Sequence, residues 1–284
     1  MISNMVAIAN GKGGVYKTSV VANLAGIAAL SGWKVLAIDM DPQGHVALDL
    51  GAESESDFGA GLRQALETGH APEPIRDVRP GLDLIPAGEE LASAVGSLQN
   101  RLAAGQITEA VGALETAIKP LASQYNLILI DSPPGEKVLQ QTILTASHYI
   151  LIPTKPDLGS IRGLDRLCRN YLDAQKFNPA LELMGVVLTG VGRGSSRIER
   201  TARNELATLL DDLVPTYATT IHHLEQGALA RNNGLLLHEY ETKAETARAG
   251  EYSQSAGGLA GDYQRLADEF LADFATRNQN ATNS

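Results

Sequence analysis

The chain of 284 residues has one cysteine, Cys168. It can therefore build no intrachain disulfide framework, no CxxC-type zinc site and no iron–sulfur cluster that draws several thiolates from one chain. Positive charge is scarce as well: 23 Lys and Arg against 33 Asp and Glu leave a formal charge of −10. That balance excludes a protein that coats nucleic acid with its whole surface, while leaving room for a local basic patch. Long apolar runs are missing too. The longest uncharged stretches, Thr18–Trp33 and Val138–Thr154, hold 16 and 17 residues, carry polar side chains and are bounded by lysines. Neither reads as a membrane span, and no basic-then-apolar leader opens the chain. These absences lead to the expectation of a cytoplasmic protein.

What is present is an ordinary globular composition, 44% hydrophobic with 28 glycines, and an alternation of short aliphatic runs with longer amphipathic stretches. Strands are expected near Val6–Ala9, Val35–Ile38, Leu82–Ile85, Leu127–Ile130, Tyr149–Ile152, Leu183–Leu188 and Tyr217–Thr220. Runs such as LILI are apolar throughout, which suits a sheet buried on both faces. Helices are expected over Thr18–Leu30, Glu89–Ala103, Ile107–Ser123, Ser160–Ala174, Ser196–Leu213 and Leu259–Ala275. The pattern predicts an α/β fold: one domain over residues 1–276, with a doubly wound, mostly parallel sheet flanked by helices on both faces. Residues Gly51–Pro80, rich in Gly, Glu, Asp and Pro, read as a surface excursion, and residues 277–284 as a frayed, disordered tail.

Directly after the first strand and before the first helix, Gly11 to Ser19 reads GKGGVYKTS. A phosphate-binding loop occupies that place, because consecutive backbone N–H groups and a helix N-terminus then face one anion. The general pattern GxxxxGK[ST] puts glycine before the lysine, and here that residue is Tyr16. A left-handed backbone at a tyrosine costs on the order of 1 kcal/mol or more. The second strand ends in VLAIDMDPQGH, delivering Asp39 and Asp41, and LILIDSPPG delivers Asp131. Carboxylates at strand ends beside a phosphate loop are what a hydrated magnesium ion and an attacking water require. Singly, each also fits a helix cap or a turn.

Together these segments resemble the ParA/MinD superfamily of deviant Walker ATPases, and specifically its ParA-type partition ATPases. GKGGVYKTS stands against KGGVGKT, DMDPQGH against DxDPQGN, and LILIDSPPG against a strand ending in DxPP. The likeness continues through HYILIPTKPDLGSIRGL, VVLTGV and GLAGDYQRLADE. The resemblance implies a P-loop NTPase fold with ATP or ADP and Mg2+ as cofactors, bound by Gly11, Lys12, Gly13, Gly14, Val15, Tyr16, Lys17, Thr18 and Ser19. By that likeness Lys12 would reach the phosphates of a partner across an ATP-dependent homodimer, and Lys17 would hold the β and γ phosphates of its own subunit. Thr18, Asp39 and Asp131 would serve the metal, and Asp41 would position or activate water. Loops after Leu188 and around Ile221 would flank the adenine. Tyr16, His45 and His222 depart from the family pattern, which has glycine, asparagine and proline there. Tyr16 is open to two readings, an accommodated natural variant or a substitution that impairs the loop.

The segment after VVLTGV brings Arg193 and then Arg197, Arg200 and Arg203 at a spacing of three, a connected stripe with Ile198, Ala202, Leu206 and Leu209 expected inward. On spacing alone the stripe reads first as a solvated face balanced by Glu199 and Glu205. The resemblance adds nonspecific DNA as a partner, with Arg231 a further candidate, a ParB-type partner that stimulates hydrolysis, and a location at the nucleoid. A MinD-like membrane ATPase is the nearest alternative, but the last helix, LADEFLADFATRNQ, carries acids where a membrane-binding helix has lysines. A nitrogenase-reductase-like carrier would need two cluster cysteines. A hydrolysis-deficient nucleotide- or DNA-binding scaffold is the non-enzymatic alternative.

Overall fold

Strand β1 (Ile2–Ile8) lies inside an eight-stranded sheet whose other members are β2 (Val35–Asp39), β3 (Ile75–Arg79), β4 (Leu82–Ile85), β5 (Leu127–Asp131), β6 (Ser147–Thr154), β7 (Glu182–Val191) and β8 (Thr216–His222). The order is β3-β4-β2-β5-β1-β6-β7-β8, parallel throughout except for β3, which runs antiparallel to β4. This computed structural model describes residues 1–210, 214–223, 225–246 and 257–282.

Among the described residues twelve α-helices connect or follow the strands: α1 (Lys17–Leu30), α2 (His45–Asp49), α3 (Ala60–Thr68), α4 (Leu91–Ala103), α5 (Ile107–Val111), α6 (Ala113–Ala122), α7 (Lys137–Ala146), α8 (Leu158–Gln175), α9 (Ser196–Leu210), α10 (Gln226–Asn232), α11 (Leu237–Thr246) and α12 (Gly257–Thr282). Strand side chains alternate between two cores. Met5, Ala7, Ile38 and Ile130 face one core, with α3, α4 and α6–α9, whereas Val6, Ile8, Ala37 and Leu129 face the other, with α1, α2 and α10–α12. Burial on both faces is the reason these strands read as unbroken apolar runs. Helix α1 is apolar nearly all round because α2 and α12 also cover it.

The structure corrects the sequence reading in several places. Residues Gly51–Pro80 are not merely an excursion: they contain α3, which buries Leu62, Ala65 and Leu66, and the edge strand β3. The helix expected over Ile107–Ser123 is broken at Gly112 into α5 and α6. Helix α7, absent from the expected helices, buries Gln140, Gln141, Thr142 and Thr145 as well as its apolar residues. Helix α12 runs on through Thr282, where a frayed tail is expected from 277; Arg277, held by Asp273 one turn earlier at 2.8 Å, ties it to β7 through Glu182 and the Met184 carbonyl, both at 3.3 Å. Of the helix expected to reach Leu213, residues 211–213 lie outside the described residues.

At the β8 edge, side chains take the place of a neighbouring strand. The Ala218 and Thr219 N–H groups donate to the Glu269 carboxylate at 2.6 and 3.0 Å, while Arg203 donates to the Tyr217 and Ala218 carbonyls at 2.7 and 2.9 Å. Helix α12 covers the same strand.

Candidate nucleotide site

The loop after β1 is shaped by Asn10, fully buried, whose amide donates to the Pro153 carbonyl at 2.8 Å and whose Oδ1 accepts the Lys12 N–H at 3.0 Å. Sequence reasoning missed this residue, although it directly precedes the glycine-rich run. Gly14 and Tyr16 are both left-handed, at φ 71° and 69°, and Tyr16 is the residue from which α1 departs. That helix has neither a side-chain cap at its N-terminus nor an acid in its first turn, so its free N–H groups suit an anion. Gly13 to Ser19 line a cavity of about 670 Å³ at the carboxyl ends of the strands, where open parallel sheets bind their ligands.

The two loop lysines are placed differently. Lys17 is buried and donates to the Lys12 carbonyl at 3.2 Å; burial pulls its ammonium down, against the opposing pull of Asp131 and Asp41. Lys12 is half-exposed. Its Nζ lies 2.8 Å from Asp157 Oδ1 and 3.0 Å from Ser160 Oγ at the start of α8. Slight burial pushes the Asp157 carboxyl up, but Lys12 and Ser160 outweigh it and hold that group at about 2.

Asp39 and Asp131 stand in register at the ends of the neighbouring strands β2 and β5. Asp39 accepts the N–H groups of Asp41 and Val46 at 2.9 and 3.0 Å, so it orders the turn that presents Asp41 to the cavity. Thr18 Oγ1 donates to Asp131 Oδ2 at 2.6 Å, and Asp131 Oδ1 is buried without a hydrogen-bond partner. Burial raises both carboxyls, Asp39 further through the charge of Asp131 and Asp131 through those of Asp41 and Asp49, with Thr18 and Lys17 opposing the rise at Asp131. An orphaned carboxylate oxygen beside a threonine hydroxyl fits a hydrated magnesium ion, which takes few ligands from protein and the rest from phosphate and water. Among the described residues no three His, Cys, Asp or Glu converge as a metal site.

The Tyr16 ring has a packed position. It lies against Gly190, where an added Cβ would come within 2.8 Å of Cε2; Lys155 Nζ sits 5.4 Å from the ring centroid; and the phenol oxygen is 2.6 Å from His223 Nδ1. The two remaining departures have separate places: His45 is exposed at the start of α2, and His222 pairs through Nδ1 with the buried Asp262 at 2.8 Å. Of the segments expected beside adenine, the one following Ile221 reaches the cavity wall with His223 and Glu225, whereas none of the residues that follow Leu188 in β7 and its loop is among the cavity lining. Leu235, Leu236, Leu237, Leu259 and Tyr263 form an apolar wall that the sequence did not reveal.

The candidate arginines separate. Arg193, Arg197 and Arg200 are exposed. Arg203 is engaged with β8 and with Glu199 at 3.1 Å. Arg231 lies in the cavity wall, ion-paired through Nε with the buried Asp49 and donating to Ser19 Oγ at 3.1 Å. Burial raises the Asp49 carboxyl, with Arg231 opposing. Ile198 and Leu209, expected inward on α9, are exposed, so only Ala202 and Leu206 are buried.

A phosphate loop at the carboxyl edge of a parallel sheet, with an inner lysine and a threonine–aspartate pair, defines the class of P-loop nucleotide-binding proteins. Residues 3–183 match the family described as AAA domain. Over 206 residues the chain is 34% identical to the chromosome partitioning protein ParA of Caulobacter vibrioides, covering 70% of this chain and 74% of that one. It is 32% identical over 190 residues to the sporulation initiation inhibitor protein Soj of Bacillus subtilis, covering 66% and 73%. The chain belongs to the ParA-type partition ATPase family. Among solved structures, cobyrinic acid a,c-diamide synthase of Mycobacterium smegmatis with a bound ATP analogue and magnesium is similar at a TM-score of 0.70 and 28% identity, covering 94% of each chain. The fold is shared with a putative plasmid partition protein of Borrelia burgdorferi bound to AMPPNP, at a TM-score of 0.69 and 22% identity, covering 95% and 98%.

Proposed function

We propose that this protein is an ATP-dependent partition switch. It binds ATP with magnesium, forms a nucleotide-sandwich homodimer, holds DNA without sequence preference at the nucleoid, and is released when a ParB-type partner stimulates hydrolysis. The observation that carries this reading is the division of labour between the lysines: Lys17 buried inside the loop, Lys12 outside it on Asp157. A nucleotide held by one chain needs only the inner cation, so an outer lysine beside the same loop supports use by a second chain.

Thr18 and Asp131 would hold the magnesium ion, with Asp39 behind them, and the ion would neutralise charge on the β and γ phosphates. Asp41, presented to the cavity by Asp39, would orient water. Relatives with bound ATP analogue and magnesium support the cofactor assignment. The packed ring of Tyr16 supports its accommodated alternative over a blocked loop. The exposed trio Arg193, Arg197 and Arg200 supports the DNA contact, with phosphates as targets.

A membrane-bound variant of the switch is disfavoured by α12, which buries Leu259, Tyr263, Leu266, Phe270 and Phe274 in the core and has no apolar stripe left for lipid. Among the described residues no helix is long and apolar enough to cross a membrane. Size-exclusion chromatography with ATP and magnesium tests the switch. Dimer is expected for the natural chain and monomer for Lys12→Ala and Lys17→Ala; equal dimer content in all three removes this loop from the switch. A dimer that forms but turns over no ATP with DNA and partner present would leave the scaffold reading.

A further inference from the structure

Four segments meet on the Tyr16 side chain. The ring starts from the phosphate loop, rests on Gly190 near the end of β7, lies beside Lys155 after β6, and ends in a hydrogen bond to His223 after β8. His223 is fixed in turn by its own N–H, which donates to the Val191 carbonyl at 2.8 Å. The Tyr16 and His223 rings stand edge-on, with centroids 6.5 Å apart. Gly190 is left-handed at φ 68°, and a side chain there would occupy the space of the tyrosine ring. The ring and the glycine are thus complementary in shape.

Tyr16, Lys155 and His223 all line the cavity of the phosphate loop. The hydrogen bond joins residues 207 positions apart and bridges two sides of the rim, from the loop that would hold phosphates to the segment that would flank the base. Its effect falls on the position of the rim.

We propose that the Tyr16–His223 pair is a strap across the rim of the nucleotide cavity, opening for nucleotide to enter or leave, so that Tyr16 is a positioning residue that sets the exchange rate. This rests on the nucleotide reading given above. A strap that opens in both directions slows association and dissociation together and leaves affinity nearly unchanged. A ligand contact would act on dissociation and affinity. One such bond corresponds to about a fivefold to tenfold change in the population of the open rim.

Stopped-flow exchange of a fluorescent ADP analogue with magnesium tests this on the full chain. Tyr16→Phe keeps the ring and its packing but removes the hydroxyl; His223→Ala removes the other end. Both variants should accelerate association and dissociation by about fivefold to tenfold, with Kd within about twofold, and the double variant should be no faster than either. Unchanged rates in Tyr16→Phe, additive effects in the double variant, or faster dissociation with a matching loss of affinity would each overturn the strap. Hydrogen exchange without nucleotide gives an independent reading. The His223 amide should exchange several-fold faster in Tyr16→Phe than in the natural chain, with β1 and β5 unchanged, and equal exchange overturns the strap. Failure of the natural chain to bind the ADP analogue would remove the proposed function, and the exchange measurement alone would then decide the strap.

Discussion

Lys12 and Asp157, 145 positions apart in sequence, form an ion pair at 2.8 Å that Ser160 completes. In the free chain the outer lysine of the phosphate loop is therefore tied to the start of α8, and reaching another chain's phosphates requires it to leave. The pair is well exposed, at 38% and 49% for its two side chains, so it is worth at most about 1 kcal/mol. Asp157→Asn keeps the helix cap, since asparagine accepts the Ser160 N–H equally well. We expect that variant to shift the ATP-dependent dimerisation midpoint to about threefold lower protein concentration. Analytical ultracentrifugation with ATP and magnesium measures it, and a midpoint unchanged or raised would show that Lys12 is not restrained there.

Asp41→Ala should leave nucleotide affinity within about threefold and lower turnover by at least about a hundredfold, because it lines the cavity and its expected partner is water. Steady-state hydrolysis with DNA present, beside equilibrium nucleotide binding, separates the two. An equal loss of affinity and turnover would make Asp41 a ligand of the nucleotide or its metal.

The arginines make a divided prediction. Arg193→Ala, Arg197→Ala and Arg200→Ala together should weaken binding to unrelated DNA sequences alike and reduce the slope of log K against log salt by about 2 to 3. Arg203→Ala should leave that slope unchanged and lower Tm instead, since Arg203 satisfies two carbonyls of β8. A lower slope in Arg203→Ala, or none in the triple variant, would reverse the division.

Arg231→Ala would leave the buried carboxylate of Asp49 without its cation and Ser19 without a donor. We expect a loss of about 2 to 3 kcal/mol in stability, discounted because the arginine is one-third exposed, and weaker ADP binding through the altered Ser19. Arg231→Ala/Asp49→Ala should recover much of the stability but not the binding. Denaturant melts and calorimetry measure both, and a stable single variant would mean the pair contributes little.

Gly190→Ala places a methyl within 2.8 Å of the Tyr16 ring at a left-handed backbone position. A destabilisation of about 1 to 3 kcal/mol follows, partly relieved in Gly190→Ala/Tyr16→Gly because only the steric component is removed. Tyr16→Gly alone should leave ATP turnover unchanged or lower, since it loses packed contacts and gains chain entropy. Turnover raised tenfold by glycine would restore the blocked-loop reading.

The parallel strands were legible because strands such as Leu127–Asp131 are buried on both faces and end in an acid at the working edge. The loop from Gly11 to Ser19 was legible because local turn chemistry and helix entry act within a few residues. Partnerships across the fold were not. Arg231 reads as a surface cation until Asp49, 182 positions away, closes on it, and Arg203 looks like part of a stripe until β8 takes its donors. Strand β3 was hidden for another reason: as a short edge strand carrying Arg76, Asp77 and Arg79, it lacks the apolar run that marks a central strand.

The closure of β8 by Glu269 and Arg203 bears on how copies of this chain can associate. A sheet edge with open N–H and C=O groups invites pairing with another strand. Here donors and acceptors at one margin are already taken by side chains, and the opposite margin is a short antiparallel strand bearing charges. A continuous sheet running from copy to copy is thereby discouraged. The homodimer proposed above would instead use the face where the strands end and the phosphate loop opens, so that whatever fills the cavity would govern whether two copies meet.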